Sequence, residues 1–137
     1  MDTNRMKEFA IKYTAAWNSR KAANVASHFA ENGSLKINNA APAVGRTAIA
    51  AAAQGFMTAF PDMVLTMDSL VEKGSGTVYG WTFAGTNTAP GGTGKAVRFS
   101  GYEEWTIGAD GLIQASLGHF DEAEYQRQLQ NGVATLR

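Results

Sequence analysis

From Thr3 to Asn18 the larger apolar side chains fall at Met6, Phe9, Ala10, Tyr13, Ala16 and Trp17, the i, i+3, i+4, i+7 spacing of one helix face. This predicts a first helix that ends at Asn18-Ser19. A shorter set, Ala22, Val25, Ala26 and Phe29, predicts a second helix over Ala22 to Ala30, stopped at Glu31-Asn32-Gly33 by a glycine in a left-handed turn. Ser34 to Asn38 alternates Leu35 and Ile37 with polar positions, as a short strand does, and Asn38 to Gly45 reads as a loop around Pro42 and Gly45. Thr47 is the expected N-cap of a third helix with Ile49, Ala52, Ala53, Phe56 and Phe60 on its apolar face, which Pro61 forbids to continue.

After Asp62 the period changes from 3.6 to 2. Met63, Leu65 and Met67 alternate with Val64, Thr66 and Asp68, and Lys73-Gly74-Ser75-Gly76 is a hairpin signal. Thr77 to Thr88, Lys95 to Gly108 and Leu112 to Phe120 follow as three more strands. They are separated by the loop Ala89-Pro90-Gly91-Gly92-Thr93-Gly94 and the turn Gly108-Ala109-Asp110-Gly111. Asp121 to Gln130 predicts a last helix with Tyr125 and Leu129 on one side. Helices first and an antiparallel meander afterwards predict an α+β domain in which helices cover one face of a curved sheet.

Composition narrows the function classes. With 137 residues, 45% hydrophobic and 18% charged, residues 1–137 are expected to form one domain. Twelve basic and twelve acidic side chains cancel, so no overall field favours nucleic acid or an anionic membrane. The absence of cysteine excludes a thiol nucleophile, a disulfide framework, a cysteine zinc site and iron–sulfur ligation. The run Ala48 to Ala53 falls far short of the roughly 20 residues that span a bilayer. The polar start Met1-Asp2-Thr3-Asn4-Arg5 lacks the apolar stretch of a secretory signal, so a cytoplasmic location is expected.

Several short motifs follow one another in a known order: Tyr13-x-x-Ala16-Trp17-Asn18, Phe29-Ala30-Glu31-Asn32-Gly33-Ser34, Gly45-Arg46-x-Ala48-Ile49 and Ala59-Phe60-Pro61-Asp62. Gly85-Thr86-Asn87-Thr88, Asp110-Gly111-Leu112-Ile113 and Gly118-His119-Phe120-Asp121 continue the series. In this order and spacing the chain resembles the nuclear-transport-factor-2-like superfamily, and within it the SnoaL-like polyketide cyclases. The resemblance implies a cone-shaped α+β barrel, a sheet curved round the first helix with an apolar pocket at its open end, and a homodimer through the outer sheet face. It implies no cofactor. The fold also hosts isomerases, hydrolases and non-catalytic binding domains, so site residues must carry a functional claim.

The resemblance gives Asp121 the role of acid/base in an intramolecular aldol closure. A carboxyl in an apolar pocket holds its proton to higher pH, and can take one from carbon beside a carbonyl and return it to oxygen. The alternative is that Asp121 caps the last helix through the amide of Ala123 or Glu124. Strand alternation puts His119 on the face of Asp121, where it would orient a substrate carbonyl or exchange protons, or else hydrogen-bond at the rim. A His-x-Asp pair with no third ligand at a recognisable spacing gives no metal site, and His28 reads as structural.

The ketosteroid-isomerase branch of the superfamily implies a second pair. Tyr13 matches its first-helix tyrosine, and Glu103 or Glu104 its protonated aspartate, which together donate to an enolate oxygen. Its catalytic aspartate would fall near Ile37, with only Asn38 and Asn39 nearby, which argues against that activity. Trp17, Trp81, Phe83, Phe99 and Trp105 suit a pocket for a flat ligand, or a plain core. Asn87 stands where SnoaL-like proteins often carry histidine. Parity puts Phe99, Gly101, Glu103 and Trp105 on one face and Arg98, Ser100, Tyr102 and Glu104 on the other, with Gly101 leaving room for a ligand. Pro90 to Lys95 lacks phosphate-loop spacing and precedes a strand, so it reads as a mobile lip over the pocket.

These features predict a cofactor-independent enzyme that abstracts a proton beside a carbonyl of an apolar small molecule, as cyclase or isomerase. The alternatives are a hydrolase whose paired carboxyls activate water, with Glu103 or Asp62 joining Asp121, and a non-catalytic binding or dimerisation module.

Overall fold

A computed structural model of the chain describes residues 3–74 and 76–133. Helices α1 (Thr3–Asn18), α2 (Ala22–Ala26) and α3 (Arg46–Ala59) lie in the first half, broken by strands β1 (Phe29–Ile37) and β2 (Ala43–Val44). Strands β3 (Val64–Lys73), β4 (Gly76–Thr86), β5 (Ala96–Ile107) and β6 (Ile113–Phe120) and helix α4 (Glu122–Asn131) follow. The six strands form one sheet in the order β2-β1-β6-β5-β4-β3, antiparallel except where β1 runs parallel to β6. The sheet is curved and does not close.

Helix α1 buries the predicted stripe, with Met6, Ala10, Tyr13, Ala16 and Trp17 all in the core. Tyr13 is ringed by Phe29, Tyr79 and Trp105 from three strands, with centroids 6.2, 5.4 and 5.1 Å away, so the helix lies in the hollow of the sheet. Asn18 ties its end to β3, donating to the Leu65 carbonyl at 2.8 Å and accepting from the Leu65 amide at 2.7 Å.

Several local expectations are corrected. Helix α2 ends at Ala26, and Phe29 and Ala30 begin a strand, because the Ile113 amide takes the His28 carbonyl and Phe29 packs on Tyr13. Gly33 is not left-handed; it sits where the β1–β6 register shifts, and a Cβ there would lie 2.8 Å from the Ile113 carbonyl oxygen. Gly45, with φ +89°, rather than Thr47, precedes α3, and the exposed Thr47 lies within the helix. Residues 43–44, expected in a loop, form β2.

The β half follows its alternation. Met63 and Leu65 are buried and Val64 is exposed. Lys73 pairs with Gly76 across the expected hairpin, where Gly74 has φ +61°; Ser75 lies outside the described residues. Helix α4 closes one side, with Tyr125 against Phe99 and Phe120 at 5.0 and 5.6 Å. The buried Gln128 accepts from the Arg98 amide at 2.7 Å. Among the described residues no helix is long and apolar enough to cross a membrane, and no three His, Asp or Glu side chains gather as metal ligands.

Candidate active site

Between α1 and the hollow of the sheet lies a cavity of about 60 Å³. It is lined by Trp17 of α1 and Phe56 of α3, by Trp81 and Phe83 of β4 with Phe99 of β5, and by Phe120 with aliphatic Leu35, Ile37 and Leu65. Among the described residues Glu103 is the one carboxyl in this lining. Strand parity brings it there, because Phe99, Glu103 and Trp105 are buried on the inner face while Tyr102 is exposed on the outer one.

The Glu103 carboxyl is unevenly bonded. Its Oε1 accepts from Ser116 Oγ at 2.6 Å, Tyr13 Oη at 3.0 Å and Trp105 Nε1 at 3.1 Å. Its Oε2 accepts only a longer bond from Tyr13, at 3.2 Å. Burial pushes the Glu103 pKa up, and the bonds from Ser116, Trp105 and Tyr13 oppose it less strongly. Burial and the neighbouring Glu103 drive the Tyr13 hydroxyl well above its ordinary range, so it remains a phenol donor. Oε2 is therefore the less heavily bonded oxygen of this carboxyl.

Ser116 is a site residue that the motifs do not single out. It pairs with Trp105 across β5 and β6, and the neighbouring Gly118, opposite Glu103, leaves space beside that side chain. The signal for it is the parity of β6: Ser116, Gly118 and Phe120 alternate on one face.

Two candidates lie outside the cavity, His119 by that parity and Asp121 by the start of α4. Asp121 is exposed, and its Oδ1 accepts from the Glu124 amide at 3.0 Å as the N-cap of α4. His119 lies on the outer face, stacked on Tyr102 at 4.7 Å, with Nε2 2.7 Å from Glu104. The chain turns into α4 directly after β6, so the expected shared pocket of His119 and Asp121 does not form. Glu104, the alternative to Glu103, is outside with His119.

The remaining candidates divide. Trp17, Trp81, Phe83 and Phe99 line the cavity, whereas Trp105 lies beneath Glu103, stacked on Tyr79 at 4.8 Å. Asn87 does not reach the cavity: it donates to the Ala59 carbonyl at 3.1 Å and accepts from the Thr93 amide at 2.7 Å. It thereby pins the loop expected to be a mobile lip. Gly101 gives its space to Trp81 rather than to a ligand, since a Cβ there would lie 2.6 Å from Trp81 Cζ2. Asp62 is exposed and accepts from Thr86 N and Oγ1 at 2.7 and 2.8 Å, which hold its pKa down. Among the described residues a second carboxyl therefore does not join Glu103 in the cavity lining. His28 keeps its structural role, with Nδ1 2.8 Å from the Asn24 carbonyl and its ring edge-on to Phe9 and Tyr13.

Residues 7–129 match the family model described as SnoaL-like polyketide cyclase. The chain belongs to the SnoaL-like polyketide cyclase family. No curated protein matches it significantly. Solved structures with this SnoaL-like fold include TsrD from Streptomyces laurentii, 21% identical, covering 94% of this chain and 97% of that one with a TM-score of 0.80. A ketosteroid-isomerase-like protein from Catenulispora acidiphila, in complex with trimethylamine, is 14% identical over 88% of this chain and 91% of that one, with a TM-score of 0.78. The epoxide hydrolase/cyclase-like enzyme SalBIII, of pyran ring formation in salinomycin, is 17% identical over 90% and 95%, with a TM-score of 0.76. These likenesses show the fold.

Proposed function

We propose that this SnoaL-like chain is an enzyme that moves a proton at carbon beside a carbonyl of an apolar small molecule, as a cyclase or isomerase does. Glu103, rather than Asp121, is its acid/base. The observation that carries this reading is a buried carboxyl, the one among the described residues in the wall of an aromatic cavity, with Oε1 held by three donors and Oε2 by one longer bond. As carboxylate, Glu103 takes the proton from carbon, the C–H electron pair moves into an enolate, and the acid returns the proton to oxygen or carbon. Tyr13, Ser116 and Trp105 position that carboxyl.

Deuterium incorporation beside the carbonyl of 2-tetralone in D2O, followed by NMR, tests this. Wild type should exceed the buffer rate and rise with pH as Glu103 ionises. Glu103→Gln keeps an acceptor for the three donors and should lower the enzyme's contribution by about 100-fold or more. Equal rates in wild type and Glu103→Gln would leave a non-catalytic binding module. The hydrolase version would need a second carboxyl beside Glu103, and Asp62 and Asp121 are not in the cavity lining.

A second reading has one observation in its favour. Aromatic walls around one carboxyl also suit a small amine cation, through cation–π attraction, and a relative of this fold is in complex with trimethylamine. The family resemblance also supports a homodimer through the outer sheet face, where Tyr102 and Leu117 are exposed. Sedimentation velocity of wild type and a Tyr102→Glu, Leu117→Glu variant tests it: a monomeric wild type ends the proposal.

A further inference from the structure

The cavity is small for the chemistry beside it. Small-molecule sites commonly enclose roughly 300–1,000 Å³, against about 60 Å³ here, so a bicyclic ketone enters only if part of the wall moves. Most of the lining is buried, and the half-buried Ile37, Phe56 and Phe120 mark where the cavity comes up to the surface. Two of these three are fastened. The Phe120 amide donates to Asn38 Oδ1 at 2.9 Å, and the Phe120 ring packs on Phe99 and Tyr125 at 5.1 and 5.6 Å. Ile37 pairs with Gly118 across β1 and β6, and next to it the Asn38 amide donates to the Gly118 carbonyl at 2.8 Å.

Phe56 stands on weaker backbone. It follows Gly55, an exposed glycine inside α3 where an added Cβ would meet nothing within 4 Å and where φ is not left-handed. Neither space nor conformation requires glycine there, and glycine leaves a helical turn about 5-fold easier to open than alanine does. The two ends of α3 are held, because Arg46 Nε donates to the Phe29 carbonyl at 2.9 Å and Asn87 Nδ2 to the Ala59 carbonyl at 3.1 Å. Between these anchors an exposed Gln54–Thr58 bond of 3.0 Å spans the turn, and the Phe56 ring meets Trp17 and Phe83 edge-on at 6.3 and 6.0 Å. We infer that Phe56 is the gate of this cavity and Gly55 its hinge: local opening of the turn at Gly55 carries the Phe56 ring out of the wall, so that Phe56 sets how fast a ligand enters and leaves. The inference deepens the acid/base reading and rests on it only in taking the cavity as the ligand site.

Hinge and gate are tested separately. In ligand-free protein, amide hydrogen exchange followed by NMR should show residues 56–59 opening more readily than the buried α1 stripe at Ala10, Tyr13 and Trp17. That opening should be nearly insensitive to dilute urea, since one turn exposes little surface. Gly55→Ala should slow exchange at 56–59 by about 3- to 5-fold. The gate is read from the binding kinetics of 2-tetralone, followed by tryptophan fluorescence because Trp17 and Trp81 line the cavity. Gly55→Ala should slow association and dissociation together by about that factor with affinity little changed, since it alters how often the mouth opens and not what the ligand touches. Phe56→Ala removes the gate, so both rates should rise, and Gly55→Ala added to it should no longer slow them.

The hinge is overturned if residues 56–59 exchange no faster than the α1 stripe, or if Gly55→Ala leaves their exchange unchanged. The gate is overturned if Gly55→Ala binds 2-tetralone at wild-type rates, if Phe56→Ala binds it no faster, or if wild type and Phe56→Ala both fail to bind it. Gly55→Ala removes no side-chain contact, so it decides even if Phe56→Ala fails to fold. Glu103→Gln distinguishes the two proposals. Binding slowed by Gly55→Ala but no isotope exchange in wild type ends the acid/base reading alone, whereas isotope exchange lost in Glu103→Gln with binding rates indifferent to Gly55→Ala ends the gate alone.

Discussion

Asp121 and Glu103 carry the same functional group in opposite surroundings. Asp121 is exposed and caps α4, so Asp121→Ala should destabilise the protein by about 1 kcal/mol, while Asp121→Asn, an equally good cap, should change little. Urea unfolding reads both. Loss of isotope exchange in a folded Asp121→Asn protein would return the acid/base role to Asp121. Around Glu103 the informative change is Ser116→Ala. It removes a bond that opposes the burial-raised pKa, so the pH at which exchange rises should move upward. A change in rate with an unmoved pH profile would mean that Ser116 does not act through Glu103.

Among the elements, the strands were more legible than the connections between them. Alternation along β5 put Glu103 on one face and Tyr102 and Glu104 on the other because a pleated strand leaves each side chain one of two faces, and burial in the fold decides that the face of Glu103 is the inner one. Applied to β6, the same rule already separates Phe120 from His119. It could not extend to Asp121, where the chain leaves the strand for a helix. The Phe29 to Gly33 segment misled because its apolar spacing suits a helix, whereas pairing with β6 makes it strand. Close backbone approach at Gly101 allows a test of the sheet itself: Gly101→Ala should cost about 1–3 kcal/mol through overpacking against Trp81 and the His119 carbonyl. Its signature is a changed Trp81 indole signal together with a lower urea midpoint; an unchanged midpoint would mean that the sheet yields there at no cost.

Across the molecule, Glu103 couples protonation to folding. Its folded pKa is raised above the unfolded value, so the native state binds the proton more tightly. The stability this contributes is fully present below the unfolded pKa and is lost as pH rises through the folded pKa. Chemical denaturation of wild type across that range should therefore show stability falling, and Glu103→Gln should flatten this part of the profile. Parallel profiles would remove Glu103 as the linked group.

The α+β order, the buried stripe of α1, the two faces of β5 and the family pattern could all be read along the chain, because each depends on local periodicity or on residues close in sequence. Packing in three dimensions was needed to select which of several carboxyls is buried and to bring Ser116 and Trp105 onto it beside Tyr13. It was needed equally to place Trp17 and Trp81, far apart in the chain, in one cavity. Burial and hydrogen bonding are properties of the space between elements, set by sheet curvature and register, and no spacing along the chain encodes them.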